Sequence, residues 1–171
     1  GRAGLCAARG LIHCQQHIIE FVLVSFYKPA NLYDSYVYQS KGNPMNITTK
    51  PVEYKDGKTT LVGYLAWDET VVDPRPCVMI GHAWGGRDGF AEAKAVQMAA
   101  LGYVGFAIDV YGDGQQGDSP EENEALMMPY VNDRKKLLGR LKAAHKAVKN
   151  LEQVDADNVA IIGYCFGGLC A

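Results

Sequence analysis

A cysteine flanked by glycines follows a short run of β-formers near the end of the chain. Residues 159–162, with the sequence Val-Ala-Ile-Ile, lead directly into residues 163–167, with the sequence Gly-Tyr-Cys-Phe-Gly. This spacing fits the G-x-nucleophile-x-G pattern of a nucleophile elbow, in which a strand turns sharply into a helix. The turn strains its central residue, and side chains two positions to either side would collide, so glycine is required at both places. The pattern therefore predicts a strand, an exposed Cys165 at its carboxyl end and a helix after it.

Strands and helices alternate in the sequence before this elbow. Two β-rich runs meet at Asp56-Gly57, a dipeptide typical of hairpin turns. A capping box with proline at the first helical position starts a helix at Ser119, and Gly102 closes an earlier one. After the hairpin, the predicted order is a strand in 76–84, a helix over 90–102, a strand over 103–110, helices from Ser119 and Asp133, a polar turn over 153–158 and the strand over 159–163. This order is typical of an α/β fold with a parallel sheet covered by helices on both faces.

The overall composition is that of an ordinary globular domain. The 171 residues suffice for one domain with its own core, and 48% of them are apolar while 21% are charged. The net charge of −2 favours no nucleic-acid partner. Lysines and arginines concentrate in 134–149, but they interleave with leucine and alanine at helical spacing, which indicates the solvated face of one helix. No run of about 18 apolar residues is present, so we predict no membrane-spanning segment.

Residues 1–44 differ in pattern from the rest of the chain, because their charged residues follow no regular period. Clear strand patterning begins just after Met45. We therefore interpret 1–44 either as an N-terminal extension or as translated sequence outside the native protein, and 45–171 as the N-terminal portion of an α/β domain. A targeting segment is a third interpretation, although Glu20 interrupts its apolar stretch.

The cysteines and histidines of the chain favour neither disulfides nor a metal site. The five cysteines are an odd number and lie far apart, which favours a reducing compartment, and we predict a cytoplasmic location. His13, Cys14 and His17 form a tight group of metal-binding side chains, but no second paired motif accompanies them. We therefore predict no disulfide framework and no bound metal.

The loop after the first buried strand supplies the second half of a candidate oxyanion hole. Such a hole needs two backbone N–H groups, one from the residue after the nucleophile and one from an earlier strand-to-helix loop. Phe166 provides the first, and the glycine-rich loop over 81–89 provides the second from Trp84 or from Ala83. A phosphate-binding loop is the competing interpretation, but Arg87 stands where a lysine is required. We therefore expect no nucleotide cofactor.

Four polar side chains near the predicted site have separate interpretations. His82 is expected to line the pocket or to pack beside it, and Arg87 to offer a positive charge; both are predicted as substrate-binding residues. His145 is interpreted as a boundary residue of its helix, and Asp109 as a structural carboxylate. In this architecture the catalytic acid and histidine follow the nucleophile in chain order, and neither follows it here. We expect both to lie beyond residue 171, and residues 1–171 alone to show no esterase turnover.

Residues 45–171 resemble the dienelactone hydrolase family of α/β-hydrolases in the motifs VEYKDGKTTLVGYLAWDE, PCVMIGHAWGGRDG and GYCFGG. The resemblance implies an α/β-hydrolase-like sheet, flanked by helices and incomplete at its carboxyl end. It also implies ester or lactone hydrolysis by a Cys-His-Asp triad, with Cys165 as nucleophile and Phe166 and Trp84 as oxyanion donors. Two positions depart from the family pattern. Ala83 replaces a glutamate that contacts the thiol, and Asp113 replaces an arginine that grips a substrate carboxylate.

The sequence thus leads to three hypotheses. The first is an enzyme that cleaves a small ester or lactone through attack by Cys165, a thioester intermediate and hydrolysis, without a metal or cofactor. The second is an inactive fragment or a non-catalytic module of the same fold. The third is a redox-sensitive thiol protein, because a thiolate beside a helix N-terminus oxidises readily. The expected partner is a small-molecule substrate, with no nucleic acid and no membrane, and the oligomeric state is left open.

Overall fold

The structure is a computed structural model that describes residues 46–171. The hypotheses on the 1–44 extension, on a targeting segment and on a metal at His13, Cys14 and His17 lie outside the described residues. The described strands are β1 (Ile47–Asp56), β2 (Thr59–Asp68), β3 (Arg75–Gly81), β4 (Val104–Ala107) and β5 (Val154–Gly163). The described helices are α1 (Gly89–Ala100), α2 (Pro120–Val131), α3 (Arg134–Lys149) and α4 (Phe166–Cys170).

The strands form a single sheet in the order β1-β2-β4-β3-β5. β4, β3 and β5 are parallel, because helices connect them along the chain. The β1–β2 hairpin turns at Gly57 and joins the sheet antiparallel to β4. The helix-flanked α/β architecture is confirmed. The sheet is mixed rather than parallel throughout, because the predicted hairpin is part of it.

Side chains of the strands alternate between the two faces of the sheet, as a period of two residues requires. On one face, Phe106 and its neighbours pack against α2 and α3 in the larger core cluster. On the other face, α1 packs through three fully buried alanines, Ala91, Ala95 and Ala99. Alanine lets a helix approach a sheet closely, and Gly105 of β4 lies directly beneath Ala95. The two layers therefore hold the carboxyl ends of β3 and β5 between packed helices.

The helix ends follow the sequence predictions. The Ser119 hydroxyl accepts a hydrogen bond from the Glu122 N–H at 3.2 Å. The Glu122 carboxylate accepts from the Asp118 N–H, one residue before the position that the capping box predicts. α1 ends with Gly102 at φ 93°, a left-handed conformation that glycine adopts without strain. Across residues 46–171, the helices are too short or too polar to cross a bilayer.

The polar turn predicted over 153–158 is wrong, because β5 already begins at Val154 and runs through it. The pairing with β3 shifts register between Arg75 and Cys77, which accommodates the extra residues of β5. Within that irregular part, the Asp155 carboxylate accepts hydrogen bonds from the Asp157 N–H and from the side chain of Asn158. The polar residues therefore satisfy one another inside a strand rather than in a separate turn.

Arg140 is an exception to the solvated basic face that the sequence predicts over 134–149. Its side chain is buried, with 6% of the residue exposed. The guanidinium donates to the Val110 carbonyl at 3.1 Å and to the Asp56 carboxylate at 2.6 Å. A buried charge needs such partners, since an unpaired one costs several kcal/mol, roughly 3–5, in stability. Arg140 thus ties α3 to the hairpin end and to the segment that follows β4.

Replacing Gly105 with alanine is expected to lower the free energy of unfolding by about 2–3 kcal/mol. The added methyl group would overlap with the backbone carbonyl of Ala95, so α1 would have to move away from the sheet. Urea denaturation measures the effect. Gly89→Ala is the matched control, because a methyl group in the first turn of the same helix meets nothing within 4 Å. Equal stabilities of the two variants would contradict the close contact between α1 and β4.

Candidate active site

Cys165 lies between β5 and α4 in a backbone conformation that non-glycine residues rarely adopt. Its φ is 54° and its ψ is −115°, and its side chain is exposed. Such a conformation costs on the order of 1–3 kcal/mol, so the surrounding packing must impose it. A strained residue with an accessible side chain at a strand-to-helix turn has the geometry of a nucleophile elbow.

Close backbone contacts on both sides of Cys165 explain the two glycines of the elbow. A methyl group on Gly163 would overlap with the carbonyl of Gly167, and one on Gly167 would overlap with the carbonyl of Gly81. α4 therefore folds back against the ends of β5 and β3 with backbone in contact with backbone. The prediction that side chains at these two positions would collide is confirmed.

The loop after β3 lies directly beside the elbow. Gly81 and Gly163 pair at the ends of the two neighbouring parallel strands. The Tyr164 N–H donates to the Gly81 carbonyl at 3.3 Å, which extends this pairing into the turn. Parallel strands deliver their following loops to the same edge of a sheet, so residues 82–88 and the elbow face one site. The sequence prediction that these two segments meet is confirmed.

Several backbone amides at this edge lack a hydrogen-bond acceptor among residues 46–171, and the candidate oxyanion donors are among them. Among residues 46–171, the N–H groups of Ala83, Trp84 and Phe166 donate to no backbone carbonyl. The next two amides of the elbow differ, since the N–H groups of Gly167 and Gly168 donate back into the turn at 2.8 and 2.9 Å. Trp84 is also 38% exposed. The candidate oxyanion donors are thus amides whose bonding capacity is unused in this part of the chain.

His82 lies in the core, with 1% of the residue exposed. Its Nε2 accepts from the Val110 N–H at 3.3 Å, so Nδ1 carries the proton and donates to the Ala83 carbonyl at 2.6 Å. Burial lowers the pKa of His82 below 6.5, against the opposing effect of the bond to Ala83. Both ring nitrogens are therefore occupied. The buried ring packs beside the site, which is the second of the two positions that the sequence analysis gives for His82.

Tyr111 is a residue of the site that sequence reasoning did not select. Its hydroxyl donates to the Trp84 carbonyl at 2.7 Å. Its ring stacks on Phe166, with centroids 5.9 Å apart and an angle of 27° between the planes. The ring also meets the edge of His82 at 4.8 Å. The only indication in the sequence is its position, directly after the strand predicted over 103–110 and before a glycine; the strand itself ends earlier, at Ala107.

In the structure, the Arg87 side chain connects the loop over 82–88 to β2 and to α1. Its Nε donates to the Val62 carbonyl at 2.7 Å, and its guanidinium forms an ion pair with Glu92 of α1. The side chain of Gln116 donates to the Arg87 carbonyl at 2.8 Å. The cation is thus paired, with 11% of its side chain exposed. Its role as a positive charge for substrate stays a prediction.

The Asp109 carboxylate organises the loop that faces residues 82–88. It is 1% exposed and accepts from the N–H groups of Val62, Gly112 and Gly114 at 2.9, 2.9 and 2.8 Å. A carboxylate that accepts several backbone bonds fixes a loop that has no strand or helix of its own. The Gly117 N–H then donates to the Gly85 carbonyl at 3.1 Å and joins this loop to the loop over 82–88.

His145 and Cys170 line a groove on the outer side of β5, which has a volume of about 270 Å³. His145 is exposed on α3, whereas Cys170 is buried and burial raises its pKa to about 12. His145 therefore does not join Cys165 at the sheet edge, and the buried Cys170 thiol donates to the Phe166 carbonyl at 3.6 Å. Within the described part of the chain, histidine, cysteine and acidic side chains nowhere gather in a group of three that would hold a metal ion.

Replacing Gly163 with alanine is expected to destabilise the fold by about 3 kcal/mol. Its methyl group would overlap with the Gly167 carbonyl and would open the turn around Cys165. Gly168→Ala in the same segment is the control, because no atom lies within 4 Å of the added methyl group. Thermal unfolding of both variants gives the comparison. A Gly163→Ala protein as stable as Gly168→Ala would be inconsistent with the close backbone contact.

The buried neutral His82 is expected to make stability fall as the pH drops below about 6.5. Its folded pKa is lowered, so the unfolded chain binds a proton that the folded chain does not, and the slope reaches about 1.4 kcal/mol per pH unit. Urea denaturation between pH 5 and 8 measures it. His82→Asn is expected to lose this slope, whereas the exposed His145→Asn keeps it. An unchanged slope in His82→Asn would rule out this assignment.

The sequence and the fold of this chain are similar to those of known proteins. The model of the dienelactone hydrolase family matches residues 61–171. A Bradyrhizobium protein named as a probable 2-oxo-3-(5-oxofuran-2-ylidene)propanoate lactonase is 33% identical over 100 residues, which are 56% of this chain and 39% of that protein. A dienelactone hydrolase-like promiscuous phosphotriesterase from metagenomic libraries has a solved structure that is 35% identical, with a TM-score of 0.70 over 72% of this chain and 52% of its own.

A second solved structure, of a protein named m3DLH, is 34% identical and has a TM-score of 0.70 over 73% of this chain and 52% of its own. The chain thus spans about half the length of the solved relatives and less of the curated one. The matched segment contains β3, the loop over 82–88 and the elbow. Since the family model matches more than half of the residues, the chain belongs to the dienelactone hydrolase family.

Proposed function

We propose that this chain carries the nucleophile and the oxyanion hole of a hydrolase that cleaves small carboxylic esters or lactones. One observation carries the proposal. An exposed, strained Cys165 lies at the same sheet edge as the free amides of Phe166 and Trp84. Membership of the dienelactone hydrolase family and the similarity to a protein named as a lactonase support the same reaction class.

The proposed reaction begins when the Cys165 sulfur attacks the carbonyl carbon of the ester. A C–S bond forms, and the carbonyl oxygen becomes an oxyanion that accepts hydrogen bonds from the Phe166 and Trp84 amides. The C–O bond then breaks, the alcohol leaves with the thiol proton, and a thioester is left on Cys165. Water hydrolyses the thioester, which releases the acid and returns the thiol.

The group that takes the thiol proton is proposed to be a histidine from the remainder of a family-length protein. Of the two described histidines, His82 has both ring nitrogens in hydrogen bonds, and His145 lines a groove on the outer side of β5. The glutamate that contacts the thiol in the family is Ala83 here, so no carboxylate occupies that place. A nucleophilic thiol reacts only while it is reduced, which favours a reducing compartment, and we include a cytoplasmic location in the proposal.

An uncharged ester is the proposed substrate rather than a lactone that bears a carboxylate. The family arginine that grips a carboxylate is Asp113 here, which is exposed and carries a negative charge. Arg87 is already paired with Glu92 and donates to the Val62 carbonyl. The described part of the site therefore offers no unpaired cation from these two positions, and an anionic substrate would approach Asp113 unfavourably.

Acylation of Cys165 by p-nitrophenyl acetate tests the proposal without a need for turnover. For each thiol, the rate of acylation is divided by its rate of alkylation with iodoacetamide. We expect this ratio to be about 100-fold higher for Cys165 than for N-acetylcysteine, because two amides stabilise the oxyanion. Mass spectrometry of the Cys165 peptide measures both rates, with a phosphine reductant present.

Cys165→Ser is expected to lose the rapid acylation, and Cys77→Ser is the matched control that keeps it, since Cys77 is buried near the other end of β3. If acylation of Cys165 is no faster than that of the free thiol, the chain is a non-catalytic module and the hydrolase proposal fails.

A further inference from the structure

The Trp84 amide belongs to a peptide group whose other end is held by a side chain. Trp84 N–H and Ala83 C=O share one peptide plane, and in a trans peptide they point in opposite directions. The Ala83 carbonyl accepts from His82 Nδ1 at 2.6 Å and from the Gly86 N–H at 3.2 Å. These two bonds fix the plane, and the direction of the Trp84 N–H follows from them.

The following peptide group is held in the same way by a second side chain. The Trp84 carbonyl accepts from the Tyr111 hydroxyl at 2.7 Å. The Tyr130 hydroxyl donates to the backbone carbonyl of Tyr111 at 3.1 Å, on the main chain and not on the hydroxyl that reaches Trp84. Burial raises the pKa of Tyr111, so its hydroxyl is protonated and acts as a donor. Both peptide planes that flank the Trp84 α-carbon are thus fixed by buried side chains from the loop and from the segment after β4.

The same two side chains also contact the other oxyanion residue. The Phe166 ring stacks on Tyr111 and packs against His82, with centroid separations of 5.9 Å in each case. Phe166 is 4% exposed, so its ring position is set by these contacts. One small cluster therefore touches the oxyanion loop through hydrogen bonds and the elbow through ring packing.

We propose that Tyr111 and His82 are positioning residues of the oxyanion hole, which hold the Trp84 and Phe166 amides at the separation that one substrate oxygen requires. This inference rests on the proposed function, since the amides matter only if an oxyanion forms. Neither side chain needs to touch the substrate. Loss of a hydrogen bond at the Trp84 carbonyl would let its peptide groups rotate, and an amide displaced by a fraction of an ångström stabilises an oxyanion less.

Tyr111→Phe tests the inference, because it removes the hydroxyl and keeps the stacked ring. The expected result is a fall of about 10-fold in the ratio of acylation by p-nitrophenyl acetate to alkylation by iodoacetamide at Cys165. Alkylation displaces iodide at a saturated carbon and forms no oxyanion, so the ratio reports on the amides and not on access to the thiol. Tyr130→Phe is the matched control, since it removes a buried hydroxyl-to-carbonyl bond of the same cluster that does not reach Trp84.

A second pair of variants addresses the other peptide plane and keeps the test decisive if Tyr111→Phe folds poorly. His82→Asn retains an N–H donor near the Nδ1 position and is expected to keep the ratio within threefold, whereas His82→Leu is expected to lower it about 10-fold. Ratios in Tyr111→Phe or His82→Leu equal to that of the parent chain would overturn the inference. A parent chain whose Cys165 acylates no faster than free cysteine would contradict the proposed function itself, a different and recognisable outcome.

Discussion

Direct contact between backbone atoms at the ends of β3, β5 and α4 is the constraint on which the site depends. Gly81, Gly163 and Gly167 meet with no room for a side chain between them. That contact forces the residue between the two elbow glycines into a left-handed conformation and leaves its side chain exposed. The contact also brings the loop after β3 against the elbow, so one packing arrangement creates both the strained cysteine and its neighbouring free amides.

Loops that carry function have no regular hydrogen-bond ladder, so other groups must hold them. Here buried polar side chains do this, and they form a connected set. Asp109 accepts three backbone amides of the surrounding segments, His82 and Tyr111 bond the carbonyls on either side of the Trp84 amide, and Arg87 joins β2 to α1. The same few side chains therefore stabilise the core and fix the geometry of the site.

The predictable features of this chain are those that depend on local pattern. The elbow, the hairpin and the helix caps follow from glycine positions and residue periods, which act within a few residues. The burial of Arg140 was not predictable, because its partner Asp56 lies 84 residues away and only the assembled sheet brings them together. Tyr111 was missed for the same reason, since its partners lie on the loop after β3 and on the elbow. The early start of β5 depends on a register shift against β3 that residue types alone do not specify.

The arrangement suggests that the two halves of a thioester mechanism are separable in this fold. Formation of the acyl-enzyme needs a thiol and an oxyanion hole, and the candidates for both come from adjacent strand ends that share one core. Activation of the thiol and of water needs a base with a free nitrogen. His82 has none, because its Nδ1–H donates to the Ala83 carbonyl and its Nε2 accepts from the Val110 N–H. A histidine that has this structural task cannot also exchange protons with a substrate without releasing the loop. In the proposed mechanism, the groups that stabilise the oxyanion lie at the ends of the parallel strands. Proton transfer is carried out by a different histidine, whose ring nitrogens hold no loop in place.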